Sequence, residues 1–169
     1  MNEMYKDIVI FFARDFDIFF LCTFFLFEFI HKGHMVSVVS LKVRHSRHLL
    51  EMAYTSIVTG TLVYFLKLYI DAPRPYQESL DVVSFFQYTG SDASFPSGHS
   101  AIFFGLALSL FLHHKKAGIV GLVGAGLIAT ARVLSHVHFM RDVVAGAIIG
   151  ILVALLVHSI IKKYIKNKA

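Results

Sequence analysis

Five long apolar runs dominate this 169-residue sequence and restrict what it can fold into. None of them shows the strict two-residue alternation of a barrel strand, so each run predicts a helix. Several runs are shorter than the roughly 20 residues that cross a hydrocarbon core, so we expect those helices to extend past them. The sequence therefore predicts an all-α, multi-pass transmembrane helix bundle with about five membrane helices, at Phe16–Ile30, Ala53–Ile70, Ser100–Leu112, Ala117–Ala131 and Val143–Ile161.

The composition agrees with lipid as the solvent of this chain. Hydrophobic residues make up 56% of it and charged residues 16%, against roughly 45–50% and 25% in soluble domains. The net charge of +5 does not indicate nucleic acid as a partner, because the basic residues lie in short clusters between apolar runs. No linker or repeat divides the chain, which predicts a single membrane domain over residues 1–169. The one cysteine, Cys22, excludes a disulfide within the monomer.

The first residues are unlike a cleavable signal peptide. Glu3 and Asp7 interrupt a basic start, and no small-residue cleavage site follows the phenylalanine-rich run. We expect the first membrane segment to be retained, with residues 3–15 forming an interfacial helix before it.

Loop charges predict the orientation. Helix alternation places ten of the sixteen Lys and Arg residues on one side, and the positive-inside rule makes that side cytoplasmic. The expected topology has the amino terminus outside and the carboxyl terminus inside. The ten inner cations are Lys32, Lys42, Arg44, Arg47, Lys115, Lys116, Lys162, Lys163, Lys166 and Lys168.

Two cations mark the outer end of the second run. Lys67 and Arg74 are seven residues apart, which returns to nearly the same face of a helix. Prolines at positions 73 and 75 end that helix. Two fixed positive charges suit a phosphoryl group, and arginine can bind two of its oxygens. Snorkelling to the lipid headgroups is the alternative interpretation.

The third run is preceded by Phe95-Pro96-Ser97-Gly98-His99-Ser100. Ser97 is typical of a helix N-cap, and Gly98 allows a ligand to approach the free N–H groups there. His99 in the first turn is placed to donate a proton to a leaving oxygen. An ordinary capped helix remains the alternative for this segment.

A third polar cluster lies between the fourth and fifth runs. Arg132 closes the fourth helix, and His138 and Asp142 are predicted to open the fifth. On a helix, a carboxylate four residues away can accept from one imidazole nitrogen and leave the other free to attack phosphorus. His136 and His138 alternatively form a metal pair, but no second His–carboxylate cluster supports one, and neither metal nor another cofactor is expected.

Together, Lys67-x6-Arg74-Pro75, Pro96-Ser97-Gly98-His99 and Arg132-x5-His138-x3-Asp142 resemble the three motifs of the type-2 phosphatidic acid phosphatase superfamily. The resemblance implies a metal-independent phosphatase in which His138 forms a phosphohistidine. Asp142 would orient it and His99 would protonate the leaving group. The implied phosphate-binding residues are Lys67, Arg74, Ser97, Gly98 and Arg132.

Some positions depart from that pattern. Ala131 replaces a usual Ser, His136 a frequent Gly, and Met140-Arg141 a Pro and a Ser or Thr. Arg141 is interpreted as a surface cation rather than a contact to a second phosphate. Six other histidines are interpreted as polar loop residues on the inner side: His31, His34, His45, His48, His113 and His114.

The expected substrate is a lipid phosphate or diphosphate at the outer surface, with water as second substrate. Within the family, the chain looks most like bacterial undecaprenyl-diphosphate phosphatases. Phosphatidate, phosphatidylglycerol phosphate and lipid A phosphate are the alternatives. A non-enzymatic channel or assembly subunit with a degenerate site is the alternative of another class. A soluble vanadium haloperoxidase, which shares the motifs, is excluded by the apolar runs.

Overall fold

The structure, a computed structural model, describes residues 3–16, 47–78, 83–85 and 93–167. These ranges form helices and loops and contain no strand. A π-helical segment, Phe11–Asp15, continues the first helix. The predicted run Phe16–Ile30 lies outside the described residues except for its first residue. The helices are α1 (Glu3–Ile10), α2 (Arg47–Ile70), α3 (Pro75–Glu78), α4 (Gly98–His113), α5 (Lys115–Leu134) and α6 (Met140–Lys166).

The structure confirms the prediction of an all-α bundle, and the four long helices extend past the apolar runs that predicted them. Polar contacts explain two of the extensions. At the start of α2, Arg47 Nε donates to Glu51 Oε1 over 2.7 Å, an i,i+4 pair that supports the first turn. At the start of α4, Ser97 caps the helix, which begins two residues before the apolar run.

Three helices in the described part of the chain are long and apolar enough to cross a membrane, by length and composition. They are α2, α5 and α6, and α4 is a shorter apolar helix of 16 residues. Large apolar side chains on the outer surface of the bundle are exposed, which suits contact with lipid tails. Examples are Ile57, Phe65, Val120 and Leu152.

The shorter helix α4 lies in the centre, where it packs against α2, α5 and α6. Its crossing with α6 depends on small residues. A Cβ added at Gly105 would lie 3.1 Å from the carbonyl oxygen of Gly150, and one added at Gly150 would collide with the carbonyl oxygen of Ala101. The two backbones therefore approach closely, as small residues allow in membrane bundles.

Chain alternation brings four helix ends together at one end of the bundle. These are the last turns of α2 and α5 and the first turns of α4 and α6. The predicted N-terminal helix is confirmed as helical over residues 3–15, and its position at the membrane interface stays a prediction. It lies against α5, because Arg132 Nη1 donates to the carbonyl of Ala13 over 2.6 Å.

Candidate active site

Lys67 and Arg74 meet through the backbone that precedes α4. Lys67 Nζ donates to the carbonyl oxygens of Ala93 and, at 3.4 Å, of Ser94. Arg74 donates from Nη2 to the same Ala93 oxygen over 3.3 Å and from Nη1 to Val137 over 2.7 Å. The prediction that the two cations share a helix face was wrong. Helix α2 ends at residue 70, before Arg74, so their proximity comes from the shared carbonyl.

Burial decides between the two interpretations of Arg74. Its side chain is 0% exposed, whereas a snorkelling arginine would extend to water and headgroups. A buried guanidinium must be neutralised or well hydrogen-bonded to be stable, and here loop carbonyls supply part of that. The Arg74 side chain therefore lies in the protein interior and does not snorkel to the lipid headgroups.

The start of α4 is tied to the start of α6. Ser97 is the N-cap of α4, and its side chain accepts from the backbone N–H of Ser100 at 3.5 Å and from the Ser100 hydroxyl at 3.2 Å. The backbone N–H of Ser97 donates to the carbonyl of Asp142 over 3.0 Å. The predicted cap is confirmed. The contact between Ser97 and Asp142 holds the start of α4 beside the first turn of α6.

His138 and Asp142 form the expected pair by a different local structure. Helix α6 begins at Met140, so His138 precedes it, and the prediction that both residues open the helix was wrong for His138. Asp142 lies in the first turn of α6, where Oδ2 accepts from the backbone N–H of the N-cap residue Phe139 over 2.9 Å. His138 Nδ1 lies 3.5 Å from the same oxygen. This arrangement leaves Nε2 as the imidazole nitrogen that faces away from the carboxylate.

A buried serine completes this pair. Ser94 Oγ donates to Asp142 Oδ2 and lies 3.4 Å from His138 Nδ1, and its side chain is 0% exposed. The sequence analysis missed Ser94. No spacing rule leads from residue 94 to residue 142, and the only signal was its position just before the Pro96-Ser97-Gly98-His99 motif.

The electrostatics keep the His138 imidazole neutral. Burial is the main cause that lowers its pKa, to about 4, and the cations Arg74, Arg132 and Lys67 lower it further, while Asp142 acts in the opposite direction. A neutral ring has the lone pair that a nucleophile needs. The same interactions show that all three cations lie near His138.

Arg132 connects His99 to this group. Arg132 Nη2 lies 2.8 Å from His99 Nδ1, and the arginine is 2% exposed. Because a guanidinium only donates, the shorter contact assigns Nδ1 of His99 as acceptor. The ring proton of a neutral His99 then resides on Nε2.

The remaining predicted positions have simpler environments. A Cβ added at Gly98 would make only ordinary contact, 3.6 Å from Val63, so packing does not require glycine there and ligand approach stays a prediction. His136 Nδ1 lies 3.2 Å from the carbonyl oxygen of Val83. Its φ of 60° explains why glycine suits this position. The Arg141 side chain is 63% exposed and stacks on Phe139, as a surface cation does.

The fold and the site define a helical membrane protein with a buried His–Asp pair surrounded by cations. The PAP2 superfamily model matches residues 48–166, and the chain belongs to that superfamily. Members of the superfamily are phosphatases, hydrolases of phosphate esters.

Two curated relatives match parts of the chain. A bacitracin transport permease protein, BcrC, from Bacillus licheniformis is 47% identical over 66 residues, which cover 39% of this chain and 32% of that protein. A lipid A 1-phosphatase from Rhizobium johnstonii is 33% identical over 109 residues, covering 61% of this chain and 43% of the relative. The chain thus spans less than half the length of either relative.

Two solved structures share the fold. LpxE from Aquifex aeolicus superposes with a TM-score of 0.66 at 26% identity, covering 94% of this chain and 88% of that one. A PAP2 type phosphatidylglycerolphosphate phosphatase from Bacillus subtilis superposes with a TM-score of 0.58 at 23% identity, covering 95% and 76%, and shows likeness of fold alone.

Proposed function

We propose that the chain is a metal-independent lipid phosphatase that works through a phosphohistidine intermediate. One observation carries this proposal: a buried, neutral His138 has one nitrogen beside Asp142 and is surrounded by Lys67, Arg74 and Arg132. That set supplies a nucleophile, an orienting carboxylate and positive charge for the phosphoryl oxygens.

The reaction has two steps. In the first, His138 Nε2 attacks phosphorus, the bond from phosphorus to the leaving oxygen breaks, and His99 gives that oxygen its Nε2 proton. In the second, water attacks the phosphohistidine while His99 accepts a proton from it, and phosphate leaves with the electron pair restored to His138. Asp142 stabilises the positive charge that develops on the imidazole of His138.

Phosphate binding is assigned to Lys67, Arg74, Ser97, Gly98 and Arg132. The buried guanidinium groups of Arg74 and Arg132 are held by backbone carbonyls, so they are fixed before the substrate arrives. Preorganised charges of this kind need little rearrangement when negative charge shifts in the transition state.

We propose undecaprenyl diphosphate as the substrate, the class of lipid that the family resemblance implies. The curated relative named for lipid A supports a lipid phosphate in general. Phosphatidate, phosphatidylglycerol phosphate and lipid A 1-phosphate are therefore the competitors to test beside it.

The site is proposed to face the extracytoplasmic side, with the amino terminus outside and the carboxyl terminus inside. The cluster Lys115-Lys116 lies at the opposite end of the bundle from His138, as the positive-inside rule requires of this orientation. A membrane-impermeant thiol reagent tests it in a Cys22→Ser background. The reagent should label Asp92→Cys in intact cells and should label Lys116→Cys only after the cells are opened; the reverse pattern would refute the topology.

The activity test is phosphate release from the four lipids by protein purified in detergent, with EDTA present. Wild type should be active and His138→Ala inactive, whereas His136→Asn, a nearby histidine change at a position with positive φ, should retain activity. Rapid quenching with substrate labelled in the phosphate should trap an acid-labile, base-stable adduct in wild type only. A need for added divalent metal, or an active His138→Ala, would refute the mechanism, and absence of release from every lipid would favour the non-enzymatic alternative.

A further inference from the structure

A second polar cluster lies at the other end of the bundle. Glu51 Oε2 is 2.8 Å from His113 Nε2 and 2.8 Å from His158 Nδ1, and the carboxylate is only 1% exposed. The prediction that His113 is a polar loop residue was wrong, since it is the last residue of α4 and contacts a buried acid. The sequence analysis did not single out Glu51 or His158.

The cluster connects the same three helices that carry the active site. Glu51 precedes Lys67 on α2, His113 follows His99 on α4, and His158 follows Asp142 on α6. At 1.5 Å per residue, these separations correspond to about 21–24 Å along the helices. The cluster therefore cannot take part in the chemistry at His138, and it is a separate site.

The ligand atoms suit a divalent transition metal. The two imidazole nitrogens and the carboxylate oxygen all lie within 4.8 Å of one another. In a tetrahedral zinc site with bonds of about 2.0–2.1 Å, neighbouring ligand atoms are roughly 3.3 Å apart. The oxygen therefore needs to move by about 0.5 Å from each nitrogen, and the two nitrogens, which lie within 4.8 Å of each other, need to approach to about the same spacing. Two histidines and one glutamate are an established zinc ligand set, with water in the fourth position.

The other oxygen of the carboxylate has a fixed partner. Arg47 Nε donates to Glu51 Oε1 over 2.7 Å. This contact orients Oε2 towards the two histidines. A hydrogen-bonded partner that orients a ligand in this way is typical of metal sites.

From this geometry, we propose that Glu51, His113 and His158 bind a zinc ion that joins α2, α4 and α6 at the end opposite the active site. At about 21–24 Å along the helices from the active site, the ion takes no part in the chemistry at His138. Because it binds ligands from three separate helices, it binds the folded bundle and not the unfolded chain, and it must raise the stability of the fold.

The test is zinc binding by protein purified with an affinity tag that lacks histidine, stripped with EDTA and then dialysed. Titration with zinc should give one ion per chain and raise the Tm by roughly 5–10 °C. Replacement of zinc by cobalt should give the visible absorption of a tetrahedral Co²⁺ site. The variant His158→Gln, which removes the imidazole that contacts Glu51, should weaken zinc binding by at least roughly 10- to 100-fold, the loss that even an outer-shell change causes. The control His136→Asn should bind zinc as wild type does.

Two results would overturn the proposal. The first is that wild type takes up no zinc. The second is that zinc binds equally to wild type, to His158→Gln and to the double variant that carries both His113→Ala and His158→Ala. Either would mean that the cluster is a hydrogen-bonded network only. Zinc uptake and Tm are read without substrate, so this outcome is independent of the phosphatase proposal. Phosphate release in EDTA should persist below the Tm of the stripped protein.

Discussion

Replacing Ser94 by alanine tests how the proposed catalytic pair, His138 and Asp142, is held. Ser94 donates to Asp142 Oδ2, which also accepts from the Phe139 N–H and lies beside His138 Nδ1. Ser94 contacts the carboxylate that we propose orients the nucleophile, and its hydroxyl donates in that contact. We therefore assign it as a positioning residue. Its loss should impair the chemical step more than substrate binding.

The size of the effect follows from the bond that is removed. A hydrogen bond to a charged group contributes about 1.5–3 kcal/mol. The carboxylate keeps its backbone donor, so Ser94→Ala leaves Asp142 partly held. If the lost contribution appears in the transition state, where His138 becomes positively charged, kcat falls by about 10- to 100-fold. KM for the lipid should change by less than about threefold, since uniform binding is unaffected.

Ser109→Ala is a matched control for general destabilisation. Ser109 is also buried, and its hydroxyl lies 3.2 Å from that of Thr55, within the bundle and away from the site. Steady-state kinetics and Tm should be measured for both variants. A comparable fall in Tm for the two, with kcat reduced only in Ser94→Ala, supports the assignment. Equal kcat values in the two variants, or a change confined to KM, would refute it.

Three further predictions concern packing, pH and charge. Gly150→Ala should destabilise the fold by about 1–3 kcal/mol, because its Cβ would collide with the Ala101 carbonyl; Gly126→Ala, with nothing within 4 Å of the new Cβ, should instead raise the Tm slightly. The pKa of His138 is lowered to about 4, so the imidazole stays neutral as the pH falls towards that value. The acid limb of the pH profile of kcat/KM, corrected for ionisation of the substrate, should therefore lie well below pH 6.5. An acid limb at pH 6.5 would contradict this. Arg141→Gln should leave kcat/KM for both monoester and diphosphate lipids within about twofold, since the side chain is mostly exposed; a selective loss with diphosphate would instead assign it to a second phosphate.

Periodicity and motif order were enough to predict the helices and most of the site. Apolar runs of this length have few folding options in lipid, because every backbone polar group must be satisfied internally. Helix alternation then placed Lys67, His99, Arg132 and Asp142 at one end before any contact was known. The structure brings these residues together as expected.

Local geometry was less predictable. The spacing of Lys67 and Arg74 suggested a shared helix face, yet they meet through the Ala93 carbonyl. His138 and Asp142 suggested an i,i+4 pair within a helix, yet the histidine precedes the helix and only the aspartate lies in its first turn. In both cases, spacing in sequence indicated proximity but gave the wrong local structure, since loops beside a helix end bring residues together in several ways.

The sequence by itself determined the helical class, the order of the helices and the identity of the chemical groups, because these follow from hydrophobic length and from motifs that are local in the chain. The tertiary structure alone decided the role of Ser94, which meets a residue 48 positions away. It also decided the convergence of Glu51 with His113 and His158, which lie 62 and 107 positions away. Such contacts depend on how helices rotate and cross, and close packing at glycines such as Gly105 and Gly150 fixes those angles.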